Sequence, residues 1–559
     1  MLIWCAMEYG NIWGNADLFE AYVEKAKDYL DKAHQHFPQN RLIKMYLGDP
    51  IVREPYTAPG HAPPWAVYQR EGLERLAEIV TWWIDHRMRE NGEYGGGWGD
   101  DCEMWRWWVP VLIAFDDPQI TKAQAFFSNA LLNRPHMRGG YTSRVSDVEH
   151  TAEDSSDAMT PMMHLKPEDP LWRKKVFALA DLFENLWTGI NQRGFLQFKS
   201  TFFSAEKVDL KPQRACDTVY HPRAMQPALL YWQRTGNERL GDLFSRWMNT
   251  WVDATARRER GKPAGIVPSA INWPEGYVGG LGERWWEPKN YHEDLYTWPS
   301  AMPMMLHSLL LTYHMTGHES YLNPIRSMAR IRLDYLRNPP STEPKPGSKT
   351  WCARQLSLTS VLAKYRFLTG NEEFDELLKQ DQDAYYLYRV ETSETLLLNE
   401  LKENAQALRS NFPGYTSEVR YTDRCIRFPR FLDRCKWVKY EPPRPDPMLL
   451  YATATGDPGD ALYFPLNRVR WLTEPRQIAA MVTTSGKDSF AAELFHFGKQ
   501  PRDMGAELYL LEPGDYKLHL YSQGNVLEKK NVSISSQRAK FQLTLPPQML
   551  CELRVKKMK

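Results

Sequence analysis

The sequence predicts a mainly α protein, an (α/α) toroid of helical hairpins followed by a C-terminal antiparallel β-sandwich domain. Three observations predict it. Similar helix ends recur along the chain at Tyr231–Leu240, Tyr313–Leu322 and Tyr365–Phe374, each with an aromatic residue, then Thr-Gly, then Asn or His, then Glu. Thr-Gly is physically a helix stop, with Gly in the left-handed conformation and a polar residue capping the next helix. Acidic stretches recur ahead of apolar helices: Asp101 lies nine residues before Pro110, Asp217 ten before Pro227 and Asp294 nine before Pro303. After about Pro442 the texture changes to short alternating runs separated by E-P-G-D and S-Q-G-N turns, the pattern of antiparallel strands.

In chain order, Ala16 to Phe37 has helical periodicity and many helix formers. A Pro-rich connector, Asp49 to Pro64, precedes a long amphipathic helix from Pro64 to about Met88, with Pro in its first turn. The segment Asn91 to Trp108 follows, N-G-E-Y-G-G-G-W-G-D-D-C-E-M-W-R-W-W. Its glycines allow tight turns and close approach to a ligand, and its carboxylates suit the start of a helix. Roughly a dozen helices are expected before Phe412. Hairpins that cannot bury both faces alone will stack, and closure into a ring is one stable outcome. The expected divisions are a helical extension over 1–55, the toroid over 56–440 and the sandwich over 441–559.

Composition narrows the function classes. Lys plus Arg is 70 and Asp plus Glu 69, which gives no support for a nucleic-acid or polybasic membrane partner. The longest apolar runs fall well short of the ~18 residues of a membrane span. The seven cysteines are scattered, without any C-x-x-C, so neither a disulfide framework nor a zinc ribbon is expected. Aromatic residues reach 13 %, with 21 Trp and 28 Tyr, and indole faces suit sugars. The N-terminus has no basic region ahead of its short apolar run, so it does not read as a signal peptide; a periplasmic or secreted location is expected if a leader is missing, and a cytoplasmic one otherwise. Oligomeric state is not legible.

The hairpin ends Y-x-x-(x)-T-G-[NH]-E, the acidic starts G-D-D-C-E-M-W and H-E-D-L-Y-T-W, and the trailing β region resemble the six-hairpin (α/α) toroid enzymes, a broad group of glycoside hydrolases and polysaccharide lyases. The resemblance covers about three quarters of the chain in architecture. The D-D and E-D starts look like those of unsaturated glucuronyl hydrolases, while the toroid-plus-β arrangement is similar to heparinase-like and chondroitin-type lyases; the individual family stays open. What the resemblance implies is an enzyme acting on a polysaccharide or oligosaccharide, with a uronate-containing glycan expected.

Two chemistries fit the residues. Hydrolysis needs one carboxylic acid and one carboxylate on opposite sides of the sugar, for which Asp101 and Asp294 come first and Asp100, Glu103 and Glu293 next. Glu149, Asp154, Asp157 and Asp217 are further acids. N-capping is the competing use of each single acid. Lysis instead needs a Tyr or His base and a charge partner for the uronate: His221, Tyr291 or His292 as base, with Tyr220 beside the first, and Arg144 as partner. Substrate contacts are expected from Trp98, Trp105, Tyr141, Arg144, Arg223, Trp285 and Trp286, with core packing the competing use of each Trp. No cofactor is expected, and no metal, because His150 with Glu153 and Asp154, or Cys216 with His221, lacks the spacing of a strong site. A glycan-binding protein without turnover is the alternative of a different class.

Overall fold

The computed structural model describes residues 2–7, 16–279, 284–287, 297–380, 383–416, 432, 435–439, 441, 443–459, 461, 464–535 and 538–558. Helices dominate up to Thr455 and antiparallel strands take over from Val469. Helix α1 (Ala16–His36) matches the predicted N-terminal helix, and α2 (Pro64–Arg87) starts on Pro64 as its sequence requires. The chain then forms α3 (Trp98–Asp101), α4 (Trp105–Leu112), α5 (Pro118–Leu132), α6 (Val148–Glu153), α7 (Ser156–Leu165) and α8 (Pro170–Leu182).

The Thr-Gly stops of the repeated hairpin ends fold as expected, whereas His318, after the second of them, makes no capping side-chain bond. Helix α9 (Pro222–Thr235) stops at Gly236, with φ 67°, and Asn237 caps α10 (Glu238–Ala256) by accepting the Leu240 N–H. Helix α11 (Met302–Thr316) stops at Gly317, with φ 73°, ahead of α12 (Asn323–Arg337). Helix α13 (Thr359–Thr369) stops at Gly370, also at φ 73°. Each glycine occupies the left-handed region that a Cβ disfavours.

Later come α14 (Glu394–Ser410) and α15 (Pro447–Thr455). The latter falls inside the stretch expected to be sandwich, and its own Thr-Gly stop at Gly456 repeats the hairpin signal. Its side chains are buried almost throughout, so it lacks the one-sided periodicity by which the others are read.

Contacts run between α7 and α9, α9 and α11, and α11 and α13, and α2 packs along α14 from far down the chain. Arg409 on α14 reaches Glu71 on α2 at 2.9 Å, and the Trp83 indole donates to the Tyr415 carbonyl at 2.8 Å. Helix α15 packs on α4.

The strands are β1 (Val469–Leu472), β2 (Ile478–Ser485), β3 (Ser489–His496), β4 (Arg502–Tyr509), β5 (Gly514–Ser522), β6 (Asn525–Ile534), β7 (Arg538–Leu545) and β8 (Leu550–Lys557). They form a five-stranded sheet, order β2-β3-β8-β5-β6, and a three-stranded sheet, order β7-β4-β1, antiparallel throughout. Alternating residues such as Leu518 and Leu520 on β5 and Leu543 and Leu545 on β7 are buried in one core continuous with the helices. The helical and β parts are sewn together by polar contacts: Gln69 on α2 bonds both Thr453 and the Ala480 backbone. Among the described residues no helix is long and apolar enough to cross a membrane.

Candidate active site

Carboxylates and two buried arginines meet where α3, α6, α7 and α9 begin or end. Arg223, one residue into α9 and 1 % exposed, is the hub. Its Nη2 lies 2.5 Å from Glu103 Oε1, 2.6 Å from Asp157 Oδ2 and 3.6 Å from Glu153 Oε1. Its Nη1 donates to the Tyr220 hydroxyl at 2.6 Å and lies 3.3 Å from Glu149 Oε1. Arg106 on α4 bonds Glu103 and sits 2.9 Å from Asp157 Oδ1. Two cations therefore serve four carboxylates. Asp157 is fully enclosed, whereas the Glu103, Glu149 and Glu153 side chains keep 21 %, 23 % and 23 % exposure. Three acids of the cluster thus remain open to a ligand.

Burial, together with this imbalance, shifts the proton equilibrium of Glu153. Burial pushes its carboxyl well above the usual range; Arg223 pulls the other way, and the charges of Glu103, Glu149 and Asp157 push up again. Arg223 stays charged although burial opposes it, because Asp157, Tyr220, Glu103 and Glu153 surround it. Burial therefore biases Glu153 toward its protonated form, the state a general acid requires.

The Gly-rich segment shapes one wall. Asp101, 2 % exposed, accepts the backbone N–H groups of Tyr94 at 2.7 Å, Gly95 at 3.1 Å and Gly96 at 3.1 Å. Gly95 and Gly97 sit at φ 100° and 103°, as the loop needs in order to wrap that carboxylate. A Cβ on Gly99 would lie 3.3 Å from Glu153 Oε2, so the segment approaches the acid directly. The carboxylate of Asp101 is spent on its own loop. Asp101→Asn puts an amide donor against backbone donors, and is expected to lower stability by about 1–3 kcal/mol, read as an earlier thermal transition.

Asp217 has the same fate. It is fully buried in a short strand, and its Oδ2 accepts the Trp247 indole N–H at 2.8 Å. His221, expected as a lyase base, is enclosed as well. Its Nδ1 meets Asp217 at 2.8 Å and the Thr218 N–H at 2.9 Å, its Nε2 meets the Ser200 carbonyl at 3.0 Å, and its ring stacks on Phe198 at 3.9 Å. Both ring nitrogens are occupied by protein partners.

Asp100 sits part-buried in α3. Trp98 is part-buried too, with the Arg134 guanidinium over its ring at 5.3 Å. Arg134 in turn lies 3.5 Å from Asp154, which His136 also approaches. Arg144 is exposed nearby, and its charge helps to lower the His136 pKa after burial and Arg134. Trp105 and Tyr141 are core residues at 1 % exposure, Tyr141 packing on Trp187 at 4.6 Å. Trp285 is also 1 % exposed, and with Trp286, Trp298 and Trp351 it builds an aromatic cluster. Gly347, at φ 77°, leaves the space into which Trp286 packs; a Cβ there would fall 2.0 Å from the indole. Gly347→Ala is accordingly expected to cost about 1–3 kcal/mol of stability by overpacking, measured by denaturant unfolding. Tyr291, His292, Glu293 and Asp294 lie outside the described residues.

Glu153 and Arg106 were not among the residues expected to carry catalysis. The signal for the first is the spacing Glu149, Glu153, Asp157, which repeats every four residues, although the helix breaks between α6 and α7 at Ser155. That Arg223 faces them needs the packing of α7 against α9. Among the described residues, Asp147, Glu149 and His150 bring one possible metal-ligand atom each within 4.8 Å of one another. Asp147 already caps α6 and binds His150 Nδ1 at 2.8 Å, which raises the imidazole to about 9. No protein-family model matches the chain, and no curated protein matches it.

Proposed function

We propose that this protein is a glycan-degrading enzyme that hydrolyses glycosidic bonds of a polysaccharide or oligosaccharide, its helical hairpins arranged as an (α/α) toroid. The observation that carries the reading is the cluster around Arg223, which gathers Glu103, Glu149, Glu153 and Asp157 in one place and in which burial favours the protonated form of Glu153. The return of α2 to α14 supports the ring.

In this reading Glu153 gives its proton to the glycosidic oxygen as the bond to the anomeric carbon breaks. A carboxylate on the other side of the sugar takes a proton from the attacking water, while Glu149, one turn from Glu153 on α6 and bonded to Arg223 and Tyr220, helps to hold the charge of the cluster. Asp157 and Glu103 hold Arg223 and Arg106 in place and balance their charge. The exposed Arg144, with Arg134 at Trp98, offers cations at the rim for a uronate carboxylate. The test is release of reducing ends from a panel of uronate-containing and neutral glycans by the intact chain. Absence of any new reducing end across the panel overturns the proposal.

One observation favours a second reading, β-elimination. The Tyr220 hydroxyl lies between Arg223 Nη1 at 2.6 Å and Glu149 Oε1 at 3.4 Å, and a phenol held against a guanidinium suits proton abstraction next to a uronate carboxylate. A product absorbing in the ultraviolet from a new C=C bond, with activity lost in Tyr220→Phe, would establish lysis. Hydrolysis predicts new reducing ends without that absorbance. A chain that binds glycans and turns none over would be the non-catalytic alternative.

A further inference from the structure

A second polar pocket lies on the five-stranded sheet, remote in sequence from the acid cluster. It is a cavity of about 300 Å³ lined by residues that include Glu493 on β3, Glu552 and Arg554 on β8, Tyr521 on β5, and Gln523 in the β5–β6 turn. Strand register sets its floor. Glu493 pairs directly with Glu552, and Glu552 with Tyr521, so the three stand in one row across three neighbouring strands on the outward face. Arg554, two residues on, holds both Glu552 oxygens at 2.5 and 2.7 Å and lies over the Tyr521 ring at 5.0 Å.

Folding alone does not favour this row. Two carboxylates directly opposite on adjacent strands repel, and the one guanidinium present is bonded to Glu552. Burial raises the Glu493 carboxyl and the charges of Glu552 and Glu394 raise it further, against one hydrogen bond from Trp65. The pocket thus combines a half-exposed aromatic ring, acceptor carboxylates, a guanidinium and an amide in a concave site of ligand size. Acceptors at this density suit the hydroxyl groups of a sugar, and the ring suits its apolar face. A local excess of negative charge disfavours an anionic one.

We propose that this pocket binds a short neutral stretch or end of a glycan, separately from the candidate active site. The choice of a glycan rests on the function proposed above; the site itself does not. The volume is at the small end for ligand pockets, which excludes a long chain lying within it.

The experiment is affinity electrophoresis of the full chain carrying Glu153→Gln, through gels containing neutral glucan, mannan, xylan or galactan, or polygalacturonate. At least one neutral polysaccharide is expected to retard the protein, and Tyr521→Ala or Glu552→Gln to weaken that retardation about tenfold. Glu493→Gln relieves the like-charge pair, so it is expected to raise the unfolding midpoint while weakening retardation; a purely structural pair would move only the first. Retardation that Tyr521→Ala leaves unchanged overturns the proposal, as does retardation by polygalacturonate alone or by none of the five. Loss of the hydrolase reading, seen as no new reducing end from any glycan with the unsubstituted chain, leaves these binding differences readable.

Discussion

Glu153→Gln is expected to lower turnover of a susceptible glycan by about 10²–10⁴-fold, the range for a lost general acid, with the fold intact. Gln keeps the shape and lacks the transferable proton. The substitution touches no backbone bond, unlike Asp101→Asn, because Glu153 meets Arg223 only at 3.6 Å. The pH dependence has a defined sign. The folded protein holds the Glu153 proton more tightly than the unfolded chain, whose carboxyl titrates near 4.5. Its contribution to stability is therefore full below that value and is lost as pH rises through the raised folded value. Glu153→Gln removes this slope, so the variant gains stability relative to wild type as pH rises. Activity of the wild type is expected to fall over the same rise, as the acid deprotonates. Unfolding midpoints and rates measured across pH check both. Unchanged turnover in Glu153→Gln would remove the acid from the mechanism.

Arg223→Met is expected to be the most damaging single change, costing about 3–5 kcal/mol of stability together with all activity. Taking away the guanidinium leaves Asp157 enclosed at 0 % exposure, and Glu103, Glu149 and Glu153 crowded beside it. With the cation gone, their mutual repulsion is uncompensated. Asp157→Asn in the same chain should recover part of the loss, a coupling that a double-mutant cycle measures. Arg223→Lys keeps the charge but not the fork of donors, and is expected to fall between the two. Full stability in Arg223→Met at neutral pH would show that the carboxylates do not depend on it.

How much of this was legible beforehand can be followed residue by residue. Thr-Gly at 235–236, 316–317 and 369–370 marks helix ends because a left-handed residue without Cβ is a local requirement, met before any packing exists. The alternating runs near 506–511 and 516–522 mark strands for a similar reason, since period two follows from the pleat. Helix α15 escaped because burial on all sides erases periodicity. The repeated acids were legible as a pattern, yet the pattern did not separate their uses. Asp101 and Asp217 recur ahead of apolar helices, and both turn inward to hold backbone or indole N–H groups.

The amino-acid sequence by itself determined the succession of helical hairpins, the change to antiparallel strands, and the acidic, glycine-rich approach to α3. These depend on φ preferences, periodicity and composition within a few residues. Tertiary structure alone decided which acids face one another. Glu103, Glu149, Glu153 and Asp157 share Arg223 across separations of 66 to 120 residues, and a carboxylate becomes a proton donor only through burial and neighbouring charge. Neither is a property of the residue or its spacing, and both arise when α7 and α9 pack side by side.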